Sequence, residues 1–184
     1  MVSSLETEKL IDLFAEVNKL KTTRRAGWLR NGIPEQEAES VAEHTFRTAV
    51  IAMVFGDILK LDTEKLIKMA LLHDLAEIKI GDITPYDNIP LEEKLANEEK
   101  VLRELFQNLP IEKEYIKLWL EYAQQRSSEA VILRNIDKLE MALQAKEYQN
   151  TYPKLDFNEF LEDAEKKIDD EEIKKILKEI FAKY

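Results

Sequence analysis

Cysteine is absent from this 184-residue chain, which excludes disulfides and any thiolate metal site. Glycine and proline are scarce, at four and five residues, so few positions can break a helix. No stretch approaches the roughly 18 to 20 apolar residues that cross a bilayer. The segment from Met1 to Asp12 is mixed and charged, unlike the basic start and apolar run of a signal peptide. These absences predict a soluble, cytoplasmic protein with no membrane partner. Positive charge is in the minority: 27 Lys and Arg against 37 Asp and Glu leave a net charge of −10. That balance argues against binding a nucleic-acid polymer, which needs a positive face. It leaves a small anionic substrate open, because a metal and a local basic cluster can reverse the potential inside one cleft. The densest basic patch is Lys21, Arg24, Arg25 and Arg30. A solvated loop would look the same. Histidine occurs twice, at His44 and His73.

What remains is 45% apolar and 35% charged, a composition suited to one compact, mainly helical domain. Leu10, Ile11, Leu13, Phe14, Val17 and Leu20 fall on one helical stripe behind a capping box at Ser3–Glu6. Gly32-Ile33-Pro34 marks a break. Ser40-Val41-Ala42-Glu43 is a second capping box, which places His44 in the first turns of a helix expected to be buried along much of its girth. Asp62-Thr63 starts a helix that runs to about Ile78, with His73, Asp74 and Glu77 in its last turns. A loop spans Gly81 to Pro90. Helices are predicted over 91–109, 111–125 and 127–149, then 157–168 and 171–182. The fold class is all-α: a single-domain helical bundle over 1–184, with a core at about 10–150 and a C-terminal helical extension over 151–184.

A His-Asp dipeptide such as His73-Asp74 is cheap alone. Its weight comes from combination. Leu71-Leu72-His73-Asp74-Leu75 sets an imidazole and a carboxylate among leucines, and an unpaired buried carboxylate is costly. Asp137 has the same difficulty on its own apolar helix, where Ile132, Leu133, Ile136, Leu139 and Leu143 recur at helical spacing. One cation held by His44, His73, Asp74 and Asp137 answers both. Two His and two Asp accept manganese, cobalt, nickel, zinc or iron.

Those four residues, in that order, resemble the HD-domain superfamily of metal-dependent phosphohydrolases. The resemblance extends to its 5′-deoxynucleotidase family through Arg25-Ala26-Gly27-Trp28, Glu39–His44, His73–Glu77, Gly81-Asp82-Ile83, Asp87–Pro90, Glu92-Glu93-Lys94 and Asp137–Met141 to Glu147-Tyr148. It covers about residues 10 to 150. It implies an HD-type helical bundle, a homodimer, and hydrolysis of a (deoxy)nucleoside 5′-monophosphate to nucleoside and phosphate. By that pattern Trp28 walls the sugar and crowds a 2′-hydroxyl; a tryptophan there also suits plain packing.

Glu77 can orient or deprotonate water, or pass a proton to the leaving 5′ oxygen. An ordinary helix-end carboxylate is the plainer reading. Arg25 suits the phosphate clamp, since guanidinium binds anions bidentately; Arg24 and Arg30 could substitute. Asp82 is a partner for substrate or the attacking water, or else a turn aspartate capping Thr84. A different phosphoester, such as a nucleoside triphosphate or a cyclic or signalling nucleotide, fits the same ligands. So does a non-catalytic metal- or nucleotide-binding module. The helices after Asn88 offer apolar faces for a subunit interface.

Overall fold

The computed structural model describes residues 4–183. The capping box read at the N-terminus begins at Ser3, outside them. Helix α1 (Ser4–Val17) runs into a 3₁₀ turn at Asn18–Lys21. The short α2 (Ala26–Arg30) follows, then α3 (Val41–Leu59), α4 (Thr63–Leu72) and the four-residue α5 (Glu77–Ile80). After a 3₁₀ turn at Pro85–Asp87 come α6 (Leu91–Phe106), α7 (Glu112–Ala123), α8 (Ser128–Thr151), α9 (Asn158–Lys167) and α10 (Glu171–Lys183). No strand occurs among the described residues; one isolated bridge pairs Arg24 with Ser40.

The helix starts follow their caps. Ser40 accepts from the backbone N–H of Glu43, and the Glu43 carboxylate takes the Ser40 N–H in return. Asp62 accepts from the N–H of Lys65, and Ser127 from that of Ala130. Helices α3 and α4 pack closely because Gly56 has no side chain: a Cβ there would stand 2.7 Å from Thr63 Oγ1.

Helix α8 is the central strut. Its Ala130, Leu133, Ile136, Leu139 and Ala142 are buried against α3, α4 and α10. The extension belongs to this same core, since Ala164, Ile168, Ile173 and Leu177 are buried in it. Asn135 of α8 accepts the N–H groups of Asp169 and Asp170 with its side-chain oxygen, at 2.6 and 3.1 Å. That fixes the corner between α9 and α10. A second cluster joins α1, α4, α6 and α7 around Leu102 and Trp119. A third packs Trp28 against Tyr148 and Phe157.

Two expectations fail. Helix α3 is not buried along most of its girth: Phe46, Val50, Met53, Val54 and Ile58 are exposed, as are Ile11 and Phe14 of α1 and Leu71 of α4. An apolar pattern identifies a face that avoids water, not the partner that covers it. The helix predicted from Asp62 to Ile78 also divides, ending at Leu72. The His73 imidazole takes the carbonyl of Ala70 at 2.6 Å, so a side chain competes for an acceptor of the helical ladder. Residues 73–76 continue as turns, with i to i+3 bonds such as Glu77 N–H to Asp74 O.

Candidate active site

Three elements bring the predicted ligands together. His44 comes from the second turn of α3, His73 and Asp74 from the turn that ends α4, and Asp137 from the middle of α8. His44 Nε2 lies 3.3 Å from His73 Nε2, 3.5 Å from Asp74 Oδ2 and 3.2 Å from Asp137 Oδ1. His73 Nε2 is 3.3 Å from Asp74 Oδ2. His44, His73 and Asp74 form a compact donor set, and Asp137 joins it through His44. Both imidazoles are buried, whereas the two aspartates are partly exposed.

The other nitrogen of each ring is already committed, His73 Nδ1 to the Ala70 carbonyl and His44 Nδ1 to Glu140 Oε2 at 2.5 Å. Each Nε2 is thereby left facing the cluster. A divalent cation fits this donor chemistry of imidazole nitrogens and carboxylate oxygens. A further sign is Glu77 Oε2, which is buried and has no hydrogen-bond partner.

Charge is balanced within the cluster by mutual pairing. Burial opposes ionisation of Asp74, but His73, Arg25 and His44 still hold its pKa below the usual range. Asp137 lies well below its usual range against burial, drawn down by Lys138 and His44. Burial and Arg25 pull His44 down, yet Glu140 and Asp137 keep it well above an ordinary imidazole. Burial pushes the Glu77 carboxyl well up, and the charges of Asp74 and Asp82 add to the push. A carboxyl whose pKa is raised in this way is suited to proton transfer.

Glu77 therefore sits differently from expectation: it opens α5 rather than closing the preceding helix. Arg25 alone of the basic patch's arginines reaches the cluster, with Nη1 3.0 Å from Asp74 Oδ2 and 2.9 Å from Asp82 Oδ1. Arg24 is turned to the carbonyl of Ala38 and Arg30 lies over the ring of Tyr86. Asp82 does not cap Thr84; Asp87 does. Both Asp82 oxygens are engaged, one by Arg25 and the other by the N–H of Ala26 at 2.6 Å. Trp28 stays apart from the cluster. It is 2% exposed, lies 4.4 Å from the Phe160 ring centroid and donates its indole N–H to Glu39.

Several neighbours had no role in the sequence reading. Lys94 on α6 pairs with Glu98 at 3.4 Å and feels the charges of Asp74 and Glu77. Tyr122 meets His73 edge-on at 5.7 Å between ring centroids. Glu140 and Arg47 lie behind His44. Lys94 stood in the Glu92-Glu93-Lys94 block of the resemblance without an assigned role, and its i, i+4 spacing from Glu98 is that of an ordinary helical ion pair.

The HD domain family matches residues 17–177. The chain belongs to the HD-domain family. An HD domain implies a divalent metal, in accord with the donor set. The match reaches past the boundary near residue 150 that the motifs suggested. Human 5′-deoxynucleotidase HDDC2 is 42% identical over 143 residues, covering 77% of this chain and 69% of the human protein. The 5′-deoxynucleotidase hdd1 of Schizosaccharomyces pombe is 38% identical over 142 residues, covering 74% and 70%. Among solved structures, a conserved hypothetical protein from Pyrococcus furiosus superposes with a TM-score of 0.78 at 34% identity, covering 94% of this chain and 99% of its own. The PH0347 protein of Pyrococcus horikoshii gives 0.76 at 34% identity, covering 92% and 97%.

Proposed function

We propose that this HD-domain protein is a 5′-deoxynucleotidase, hydrolysing nucleoside 5′-monophosphates, with the deoxy forms preferred, to nucleoside and inorganic phosphate. The observation that carries the reading is the convergence of His44, His73 and Asp74 beside the Arg25 guanidinium, in a chain 42% identical to human 5′-deoxynucleotidase HDDC2.

In this reading His44, His73, Asp74 and Asp137 hold one divalent ion of the manganese, cobalt, nickel, zinc or iron type. When bound, such an ion offsets the phosphate's charge and lowers the pKa of water. Arg25 turns its guanidinium to the phosphate oxygens. Asp82 acts through Arg25, holding the guanidinium and the start of α2 in register. Glu77 accepts a proton from the attacking water at its unpartnered Oε2 and returns it to the leaving 5′ oxygen. Trp28, packed as core, sets the position of α2 and so of Arg25. Nucleotide-scale substrates, the net charge of −10 and, among the described residues, the absence of any helix long and apolar enough to cross a membrane suit a cytoplasmic enzyme that binds no nucleic-acid polymer. The chain is read as one HD domain.

The homodimer belongs to the same reading, and the exposed face of α3 supports it better than the helices after Asn88. Phe46, Val50, Val54 and Ile58 stand four residues apart and form one ridge. Two such ridges can interdigitate across a twofold axis. A stable pair covers about 800 Å² on each copy, and Phe14 and Leu71 line the same apolar groove as Phe46. Sedimentation should give a dimer that Val54→Asp converts to monomer; a monomeric wild type would remove it.

The activity is tested by phosphate release from matched deoxy- and ribonucleoside 5′-monophosphates, after chelation and re-addition of manganese or cobalt. Release should need metal, favour the deoxy forms, and vanish in His73→Ala and Asp74→Ala. Glu77→Gln should cut kcat by about 10²–10⁴-fold. No release from any monophosphate would overturn the assignment.

A further inference from the structure

His44 is gripped from both sides by one helix. Asp137 Oδ1 stands 3.2 Å from its Nε2, and Glu140 Oε2 stands 2.5 Å from its Nδ1. The two carboxylates are three residues apart on α8 and share a face. Glu140 is fully buried, as is His44. Its second oxygen accepts from Arg47 Nε at 2.7 Å. Arg47 is tied down in turn by Gln144 at 2.7 Å and Glu147 at 3.2 Å, both further along the same face of α8. His73 is held differently, by the carbonyl of Ala70. A carbonyl can only accept, so it fixes the tautomer of His73 from within its own turn. His44 has no such local partner on its Nδ1, and Glu140 supplies it from 96 residues away.

We propose that Glu140 is a positioning residue for the metal centre: buried and anchored by Arg47, it holds the Nδ1–H of His44 and so presents Nε2 to the ion. This rests on the reading of His44 as a ligand. A carboxylate behind a ligating histidine fixes the ring's rotation and tautomer and strengthens its free nitrogen as a donor. Removing that carboxylate leaves a buried ring free to turn or to protonate Nε2 instead. The defect therefore falls on ion binding rather than on phosphate contacts, and on His44 rather than His73.

The test uses the full-length protein with manganese alone as probe. The free ion is measured by its electron spin resonance signal. Glu140→Gln should weaken manganese binding by about 10- to 100-fold, and Glu140→Asp, which keeps the charge but shortens the reach, should fall between it and wild type. The second readout exploits there being only two histidines. With ¹⁵N-histidine label and zinc, the wild type should show a strongly downfield Nδ1–H signal from His44, separate from that of His73. Glu140→Gln should move the His44 signal and leave the His73 signal in place. Should Glu140→Gln not fold, Arg47→Met leaves the buried carboxylate intact and decides by the same readouts, with a smaller loss of affinity expected. Affinity within about twofold of wild type, or equal movement of both histidine signals, would overturn the positioning role. A wild type that binds no manganese would instead overturn the ligand reading beneath it.

Discussion

Arg25 Nη1 stands 3.0 Å from Asp74 Oδ2, and the same nitrogen stands 2.9 Å from Asp82 Oδ1. One guanidinium thus links a proposed metal ligand to the loop beyond α5. Burial disfavours its charge, but Asp82 and Asp74 more than offset that and keep it firmly protonated. Lysine would keep the charge and lose the fork. A charged hydrogen bond contributes about 1.5–3 kcal/mol, so Arg25→Lys should lower kcat/KM for a deoxynucleoside monophosphate by about 10- to 100-fold. Part of that loss should appear as raised KM. Steady-state kinetics check it, and an unchanged kcat/KM would remove Arg25 from the phosphate site.

Metal removal should be visible in stability as well as activity. The donor atoms of His44, His73, Asp74 and Asp137 lie close together in the folded chain and are scattered in the unfolded one, so an ion binds the folded state. At 100 times the dissociation constant this adds about 2.7 kcal/mol. For a chain of this size that corresponds to a rise in Tm of roughly 5–10 °C. Differential scanning calorimetry with and without manganese should show the rise in wild type and little of it in Asp137→Asn. An equal rise in both would mean the ion binds elsewhere.

Glu39 carries a pH signature. Its carboxyl accepts the Trp28 indole N–H at 2.9 Å and lies against Glu140. Burial and the charge of Glu140 push it from 4.5 up to about 8. The folded chain therefore keeps this proton while the unfolded chain releases it near pH 4.5. Over the window from about 4.5 to 8 the unfolded state binds fewer protons, so this group's contribution to stability falls as pH rises and levels off above 8. Glu140, lowered to about 2, acts below that window. Glutamine copies the neutral form at every pH. The Tm of Glu39→Gln relative to wild type should rise between pH 5 and pH 8, by about 5 °C or more. A difference independent of pH would show that Glu39 is ionised in the fold.

Local features of the fold were legible in the sequence because their causes are local. Ser40 and Glu43 announce the start of α3, Asp62 that of α4, and both cap as expected. The four proposed ligands were legible because few histidines limit the combinations. The end of α4 was not, because histidine is no helix breaker; only the Ala70 carbonyl under His73 makes it one. Helix α2 was missed because a single turn has no periodicity, and its first N–H is held by Asp82, 56 residues away. Glu140 and Lys94 stood inside the blocks that carry the resemblance but received no role, for a related reason. On a helix rich in glutamate and lysine, a buried brace and a solvated charge have the same spelling.

The extension after α8 offers the clearest case where stability and site meet. Phe157 is fully buried and touches Trp28 and Tyr148 in the third cluster. Trp28 in turn lies on α2, three residues after Arg25 and two after Ala26, whose contacts with Asp82 border the proposed metal ligands. Truncating a buried phenylalanine costs about 3–5 kcal/mol, which for this chain length lowers Tm by roughly 6–20 °C. Phe157→Ala should show that loss. Because the cavity opens beneath Trp28 rather than beneath His44, the variant assayed well below its Tm should bind manganese as tightly as wild type, while its KM for nucleotide rises as α2 loosens. Unchanged KM alongside the lost stability would confine Phe157 to the core and detach α2's position from substrate binding.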